Sequence, residues 1–379
     1  MPTPRLRVRP ERFVAGGAAL GHGPDGRVVF VRGGVPGDDV SVAVTDDRGG
    51  FSQAVAVEVH AAGPDRVVPP CPQRHAGCGG CDWQHVAVDA QLGHKAGIVA
   101  DALRRTARLP DGDVRVGSAV SPDGYRTTVR VVGDADGRPA FRHERSHDTV
   151  PAAGCLVTHP LLAEALENPL DPGTEVILRA SVQTGAVTRG EGDLVEHVAG
   201  MPLRVSAGSF FQSGPAAAEL LVDAVRRAAP ELATAGHVVD AYAGVGLFAA
   251  TVVPDGARVT TIESSRPAVA DCRVNLTGRH GAATIICAEV GRWRPDPNER
   301  YDVVIADPAR TGLGKPGVRA LAQVTAPVFV LVSCDPASLA RDTALLAEHG
   351  YRHEYTEVLD LFPHTHHVEA VTRFVTNGV

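Results

Sequence analysis

Val328-Phe-Val-Leu-Val-Ser-Cys-Asp-Pro-Ala-Ser-Leu-Ala-Arg-Asp342 is the stretch whose reading decides the fold. Val328 to Val332 is an apolar, largely β-branched run of the kind a buried parallel strand needs, and Pro336 followed by Ser-Leu-Ala-Arg-Asp predicts a helix start. Cys334 falls in the turn between them, where Asp335 can cap the helix and Pro336 can take its first position. This puts a thiol at the carboxyl edge of a sheet, the edge at which open α/β sheets bind ligands. The positive helix end favours thiolate and the Asp335 carboxylate opposes it, so the sign of the thiol's pKa shift stays open. The plainer alternative is a buried structural cysteine.

Working outward, strand and helix alternate from about residue 206 to the end, the signature of a doubly wound α/β sheet. Ser209-Phe-Phe-Gln212 leads into a helix opened by Pro215 and closed by Pro230. His237 to Ala250 reads as strand, tight turn and helix, with Gly244 and Gly246 letting backbone approach an adenosyl cofactor. The next strand ends at Glu263, a carboxylate placed to take ribose hydroxyls. Because the third glycine of a dinucleotide fingerprint is missing, S-adenosylmethionine is preferred to NAD. Tyr301 to Ala306 is a further strand, ending at Asp307-Pro-Ala-Arg310 on the same rim. At the end of the chain, strands flank a turn containing His364, His366 and His367, which brings Glu369 to that rim. The histidines make no complete metal-ligand set, and a polar turn orienting a carboxylate is the competing reading.

The chain has 379 residues, room for two or three domains, with 44% hydrophobic and 21% charged residues. The N-terminus from Met1 to Arg9 has no signal-peptide core and no apolar run reaches membrane-span length, so a cytoplasmic protein is expected. Net charge is −7, awkward for a nucleic-acid binder, but residues 1–150 carry 19 Lys+Arg against 18 Asp+Glu and residues 151–379 carry 18 against 26. The N-terminal part is thus the better candidate for touching RNA. Lys95 and Lys315 are the only lysines, a bias toward arginine that coding composition explains as well as phosphate binding does.

Residues 1–62 hold short β-branched runs, Arg27–Arg32, Asp39–Thr45 and Gln53–Val59, between glycine-rich turns, the spacing of a small barrel. Pro64 to Pro72 reads as a linker. Cys71, Cys78 and Cys81 then lie within eleven residues, and Cys155 is the nearest further cysteine. Three readings follow: an iron–sulfur cluster on Cys71, Cys78, Cys81 and Cys155, a structural zinc with His75 or His85 substituting, or unrelated free thiols. Ala87 to Arg108 is expected to be helical. Gly124–Val132 and Arg138–Arg145 read as paired strands that place Arg126 and Arg130 on one face.

Together these features resemble the uracil-C5 RNA methyltransferase family, over nearly the whole chain. The resemblance rests on the TRAM-like barrel, the four cysteines, Ser209–Gln212, Asp240–Phe248, Asp307–Arg310, Ser333–Pro336 with Leu339–Asp342, and His367–Glu369. It implies an α/β fold in three parts. A TRAM-like OB barrel spans 1–62, a central RNA-binding α+β domain carrying a [4Fe-4S] cluster spans 63–205, and a Rossmann-like class I methyltransferase domain spans 206–379. It also implies Cys334 as nucleophile and Glu369 as base. Gln212, Tyr242, Gly244, Gly246, Glu263 and Asp307 would line the S-adenosylmethionine site. The substrate expected is a uridine in a transfer or ribosomal RNA loop, and the protein is expected to act as a monomer. Ala309, Asp335 and Leu247 depart from the commoner residues of the family, as does the spacing of Cys71 and Cys78.

The chemistry accounts for these residues independently. Uracil C5 is too weak a nucleophile to take a methyl group unaided; a thiolate adding at C6 activates it, and a base must later remove the C5 proton. A uridine also has to leave its stack to be reached. Two rivals stand beside this reading: a non-catalytic RNA-binding or folding factor, and an S-adenosylmethionine-dependent enzyme acting on a non-RNA substrate.

Overall fold

The computed structural model describes residues 5–110, 112–144 and 146–376. Its largest sheet has eight strands, in the order Ala283–Cys287, Arg258–Glu263, His237–Ala241, Val303–Ala306, Val328–Ser333, Glu369–Thr376, Tyr351–Asp360 and Val114–Ala119. The first five are mutually parallel, as strands joined by helical crossovers must be, and Glu369–Thr376 enters antiparallel between Val328–Ser333 and Tyr351–Asp360. Every residue of His237–Ala241, Val303–Ala306 and Val328–Ser333 is buried, because helices cover both faces. Two apolar clusters flank the sheet: Leu221, Phe248 and Val330 belong to one, and Leu321, Phe329 and Leu339 to the other.

The eighth strand is a finding that the sequence pattern does not foretell. Val114–Ala119 comes from the middle of the chain and pairs in parallel with Thr356–Asp360. Helix Val88–Ala102, which covers it, ends in a π-helical turn at Leu103–Ala107. Buried in that helix is Lys95, whose Nζ donates to Asp360 Oδ1 at 2.7 Å and to the Phe362 carbonyl at 3.2 Å. Both side chains are essentially inaccessible. Removing one partner strands the other charge in the core, so Lys95→Ala is expected to destabilise the protein by about 3–5 kcal/mol in chemical denaturation.

Ahead of this sheet lies a six-stranded one, ordered Arg5–Val8, Asp39–Asp47, Phe51–Ala61, Val28–Arg32, Ala19–His22, Arg12–Phe13. The three strands read from sequence in this region are present and somewhat longer or shifted at their ends. The proline-rich stretch after it is docked rather than free: Arg66 Nη2 donates to the buried Asp38 carboxylate and to the Gly33 carbonyl, both at 2.6 Å. A third sheet, Thr149–Pro151, Pro139–Arg142, Thr128–Gly133, Glu175–Ala180, Val187–Arg189, stands beside the cysteine loop. The strand expected over Arg138–Arg145 is thus Pro139–Arg142, and Arg145 lies outside the described residues, as do Met1–Pro4 of the N-terminal reading. Among the described residues no helix is long and apolar enough to cross a membrane.

Candidate active site

The strand carrying Cys334 ends as the sequence predicts. Asp335 Oδ1 accepts from the Ser338 N–H at 2.7 Å, capping helix Pro336–Glu348 with proline in its first turn. Asp342, one turn further, accepts from the Leu313 and Gly314 N–H groups at 2.6 and 3.1 Å, so this helix also grips the loop following Asp307–Arg310.

Register then builds the site. Ser333 pairs with Ala370 across the antiparallel ladder, so Cys334 and Glu369 come opposite each other one step beyond, at the rim. Asp307 extends the neighbouring parallel strand to the same edge. A cavity of about 700 Å³ opens there, lined by Cys334, Glu369, Asp307, Gln212, Tyr242, Gly244 and Glu263, together with Arg126, Phe210, Arg310, Phe362 and His367. Seven of the eight expected catalytic and cofactor residues therefore share one cavity. Gly246 is not among its lining residues. It begins helix Leu247–Thr251 at φ +87°, and a β-carbon on it would lie 3.0 Å from Cys272 Sγ, so its glycine serves turn geometry and packing.

Glu263 is held by the Gly244 N–H at 3.0 Å and the Ser265 N–H at 2.7 Å, one to each oxygen, which leaves acceptor capacity toward the cavity. Asp240 is buried beneath the glycine turn and braces it through the Ala249 N–H at 2.9 Å. Tyr242 takes φ +60°, a conformation that costs a non-glycine residue energy and is found where surroundings enforce it.

Burial settles the sign that the local sequence leaves open. It pushes the Cys334 thiol up to about 12, with the Glu369 and Asp307 carboxylates adding to the rise and Arg310 opposing it. Burial likewise lifts Asp307 to about 7 and Glu369 well above the usual carboxylate range, the latter helped by Asp307. The resting site thus keeps its proton on sulfur, and burial works against ionisation of both carboxyls. The reactive form of the thiol is the anion, so alkylation of Cys334 by iodoacetamide is expected to rise about tenfold per pH unit from 7 to 9 without levelling, as peptide mass spectrometry can check.

A second cavity, about 630 Å³, is lined by Cys71, Cys78, Cys81 and Cys155 with Arg32, Arg74, Arg130 and Arg142. Arg126 and His367 line both cavities. All four cysteines are free thiols. Burial raises Cys78 and pushes Cys81 up to about 12, and in each case the other thiols of the set add to the rise. Among the described residues no three His, Cys, Asp or Glu side chains converge closely enough to hold a single metal ion.

Sequence reasoning did not single out Arg310 and His367 as neighbours, with Arg310 Nη2 3.4 Å from the His367 ring nitrogens, nor Phe210, which stands 75% exposed at the cavity mouth. An exposed aromatic beside a rim motif is the signal that was available for Phe210.

No profile of a known protein family matches the chain. An uncharacterized RNA methyltransferase of Streptomyces avermitilis is 32% identical, the match covering 94% of each chain. The 23S rRNA (uracil(1939)-C(5))-methyltransferase RlmD of Halomonas elongata is 31% identical over 94% of this chain and 86% of its own length. Among solved structures, the tRNA (uracil-54, C5)-methyltransferase of Pyrococcus abyssi in complex with S-adenosyl-L-homocysteine matches the fold with a TM-score of 0.76 at 23% identity, over 98% of this chain and all of that one. With relatives this similar over 94% of its length, the chain belongs to the uracil-C5 RNA methyltransferase family.

Proposed function

We propose that this protein transfers a methyl group from S-adenosylmethionine to C5 of a uridine in transfer or ribosomal RNA, with Cys334 as nucleophile and Glu369 as base. The observation that carries this is the placement of Cys334 opposite Glu369 at a cavity rim, beside Asp307, in an RNA methyltransferase. The 700 Å³ cavity and its cradle of Gly244, Glu263, Tyr242 and Gln212 suit a cofactor of that size and polarity. S-adenosylmethionine supplies an electrophilic methyl group on a sulfonium.

The Cys334 thiol gives its proton to solvent as sulfur adds to C6, the C5=C6 electrons become available at C5, and C5 would take the methyl group as the methyl–sulfonium bond breaks to leave a neutral thioether. Glu369 then removes the C5 proton, the C5–H electron pair reforms the double bond, and the C6–S bond breaks to release thiolate. Asp307, protonated in part near neutral pH, is placed to hydrogen-bond the polar edge of the base. Arg310 and Arg126 at the same cavity offset the phosphate charge that RNA brings.

The cysteine cavity is the candidate site for a [4Fe-4S] cluster, since four free thiols line one space. Cys71, Cys78, Cys81 and Cys155 would hold it, and it would supply structural cross-linking of the loop. Residues 1–62 serve as a TRAM-like RNA-binding barrel, 63–205 as the central RNA-binding domain, which lends Val114–Ala119 to the catalytic sheet, and 206–379 as the catalytic domain of a monomeric cytoplasmic enzyme. Nucleoside mass spectrometry tests the reaction: unmodified transfer and ribosomal RNA incubated with the protein and methyl-labelled cofactor should yield labelled 5-methyluridine. Label in another nucleoside, or in none while cofactor binds, would overturn the proposal.

A further inference from the structure

We propose that Asp82 is a positioning residue for Glu369, pinning His366 and thereby the turn that delivers the carboxyl to Cys334. This rests on the reading of Glu369 as the base.

Glu369 opens the last strand, where it pairs with Leu359, so the ladder fixes it on one side and the eight residues between Asp360 and Glu369 fix it on the other. At the near end of that turn both carboxylate oxygens of Asp82 engage one residue. The His366 N–H donates to Oδ1 at 3.2 Å, and His366 Nδ1 lies 2.6 Å from Oδ2. The His366 ring packs on His367 with centroids 4.5 Å apart, and His367 lines the cavity with Cys334 and Glu369. Behind the pair stands Gly17, where a β-carbon would lie 2.7 Å from His366 Cβ and 3.1 Å from Asp82 Oδ2. The far end of the turn has its own anchors: the Trp83 N–H donates to the His364 carbonyl at 2.8 Å, and the His364 N–H donates to Gln91 Oε1 at 2.7 Å. Asp82 thus holds the backbone of the turn three residues before the base, while Arg310 touches only the ring of His367. Asp82 directly follows Cys81 and lines the cysteine cavity, so one residue ties the wall of that cavity to the turn bearing Glu369.

The consequence is specific to one step. Addition of sulfur to C6 and methyl transfer precede the base, whereas loss of the C5 proton and cleavage of the C6–S bond require it. Asp82→Ala should therefore lower kcat on uridine RNA by about 10–100-fold, the scale on which misplacement by an ångström acts, with KM for RNA falling in step and kcat/KM nearly unchanged. A methylated covalent RNA–protein complex should accumulate. Asp82→Asn retains a carbonyl to accept from the His366 N–H and an amide to pair with the ring nitrogen, so it should restore most of kcat.

The test compares turnover on uridine RNA with the rate of covalent trapping on RNA bearing 5-fluorouridine, which has no C5 proton and so reports only the steps before the base acts. Asp82→Ala is expected to trap at the wild-type rate while turning over slowly. Wild-type turnover in Asp82→Ala, trapping that falls in step with turnover, or an Asn variant as slow as the Ala variant would each overturn the positioning role. If Asp82→Ala does not fold, His366→Ala removes the shorter, ring half of the contact and must show the same split between trapping and turnover; its absence overturns the proposal equally. Wild-type protein that methylates RNA uridine without trapping 5-fluorouridine would instead overturn the covalent reading beneath it.

Discussion

Cys334→Ala is expected to abolish 5-methyluridine formation, with a loss on the order of 10⁶-fold, the scale seen when a covalent nucleophile is removed from an enzyme that depends on it. The magnitude follows from the chemistry, since without addition at C6 nothing raises electron density at C5. Cys334 is a free thiol, and the turn it occupies is held by Asp335 on Ser338 and by Asp342 on Leu313. The variant should accordingly keep its thermal midpoint within a few degrees and bind S-adenosylmethionine normally by calorimetry. Retained methylation in this variant would show that sulfur addition is not the route.

Glu369→Gln should behave differently in kind. Turnover is expected to fall by about 10²–10⁴-fold, the contribution of a positioned base, while the covalent RNA adduct builds up on denaturing gels. The ionised Glu369 carboxylate is one cause of the raised Cys334 thiol, after burial. Neutral glutamine removes that cause, so the thiol titrates lower and a larger fraction is thiolate at a given pH. Alkylation of Cys334 in the variant should therefore be faster than in wild type at every pH where Glu369 is ionised, and equal to it where Glu369 holds its proton. Unfolding would also free the buried thiol, so a thermal midpoint within a few degrees of wild type is the control that separates the two causes.

What the sequence makes legible here is what is local. The strand, cap and helix around Cys334 lie within fifteen residues, and each signal, from the β-branched run to Asp335 and Pro336, acts on its immediate neighbours. Glu369 is legible by its family motif and confirmed in place by ladder register. The rest depends on contacts across great sequence distance. Lys95 meets Asp360 and Asp82 meets His366 across more than 260 residues, and no periodicity announces either. Lys95 stands out in sequence only as one of two lysines. Val114–Ala119 is a short strand with a largely exposed pattern, so neither alternation nor an apolar run marks it as the edge of the catalytic sheet. Arg66 likewise turns an apparent linker into a docked segment because Asp38 is buried and needs a cation. The thiol's raised pKa was illegible for a related reason: two local charges were visible, but the burial that outweighs them is a property of the folded site.

The most direct measurement is peptide mapping of the covalent complex formed with 5-fluorouridine-substituted RNA and methyl-labelled S-adenosylmethionine. The expected result is a single adduct on the peptide containing Ser333-Cys334-Asp335, carrying a methylated, fluorinated pyrimidine. Adduct on another residue, or labelled 5-methyluridine from normal RNA with no adduct on the fluorinated one, would contradict the assignment of Cys334 as the attacking group.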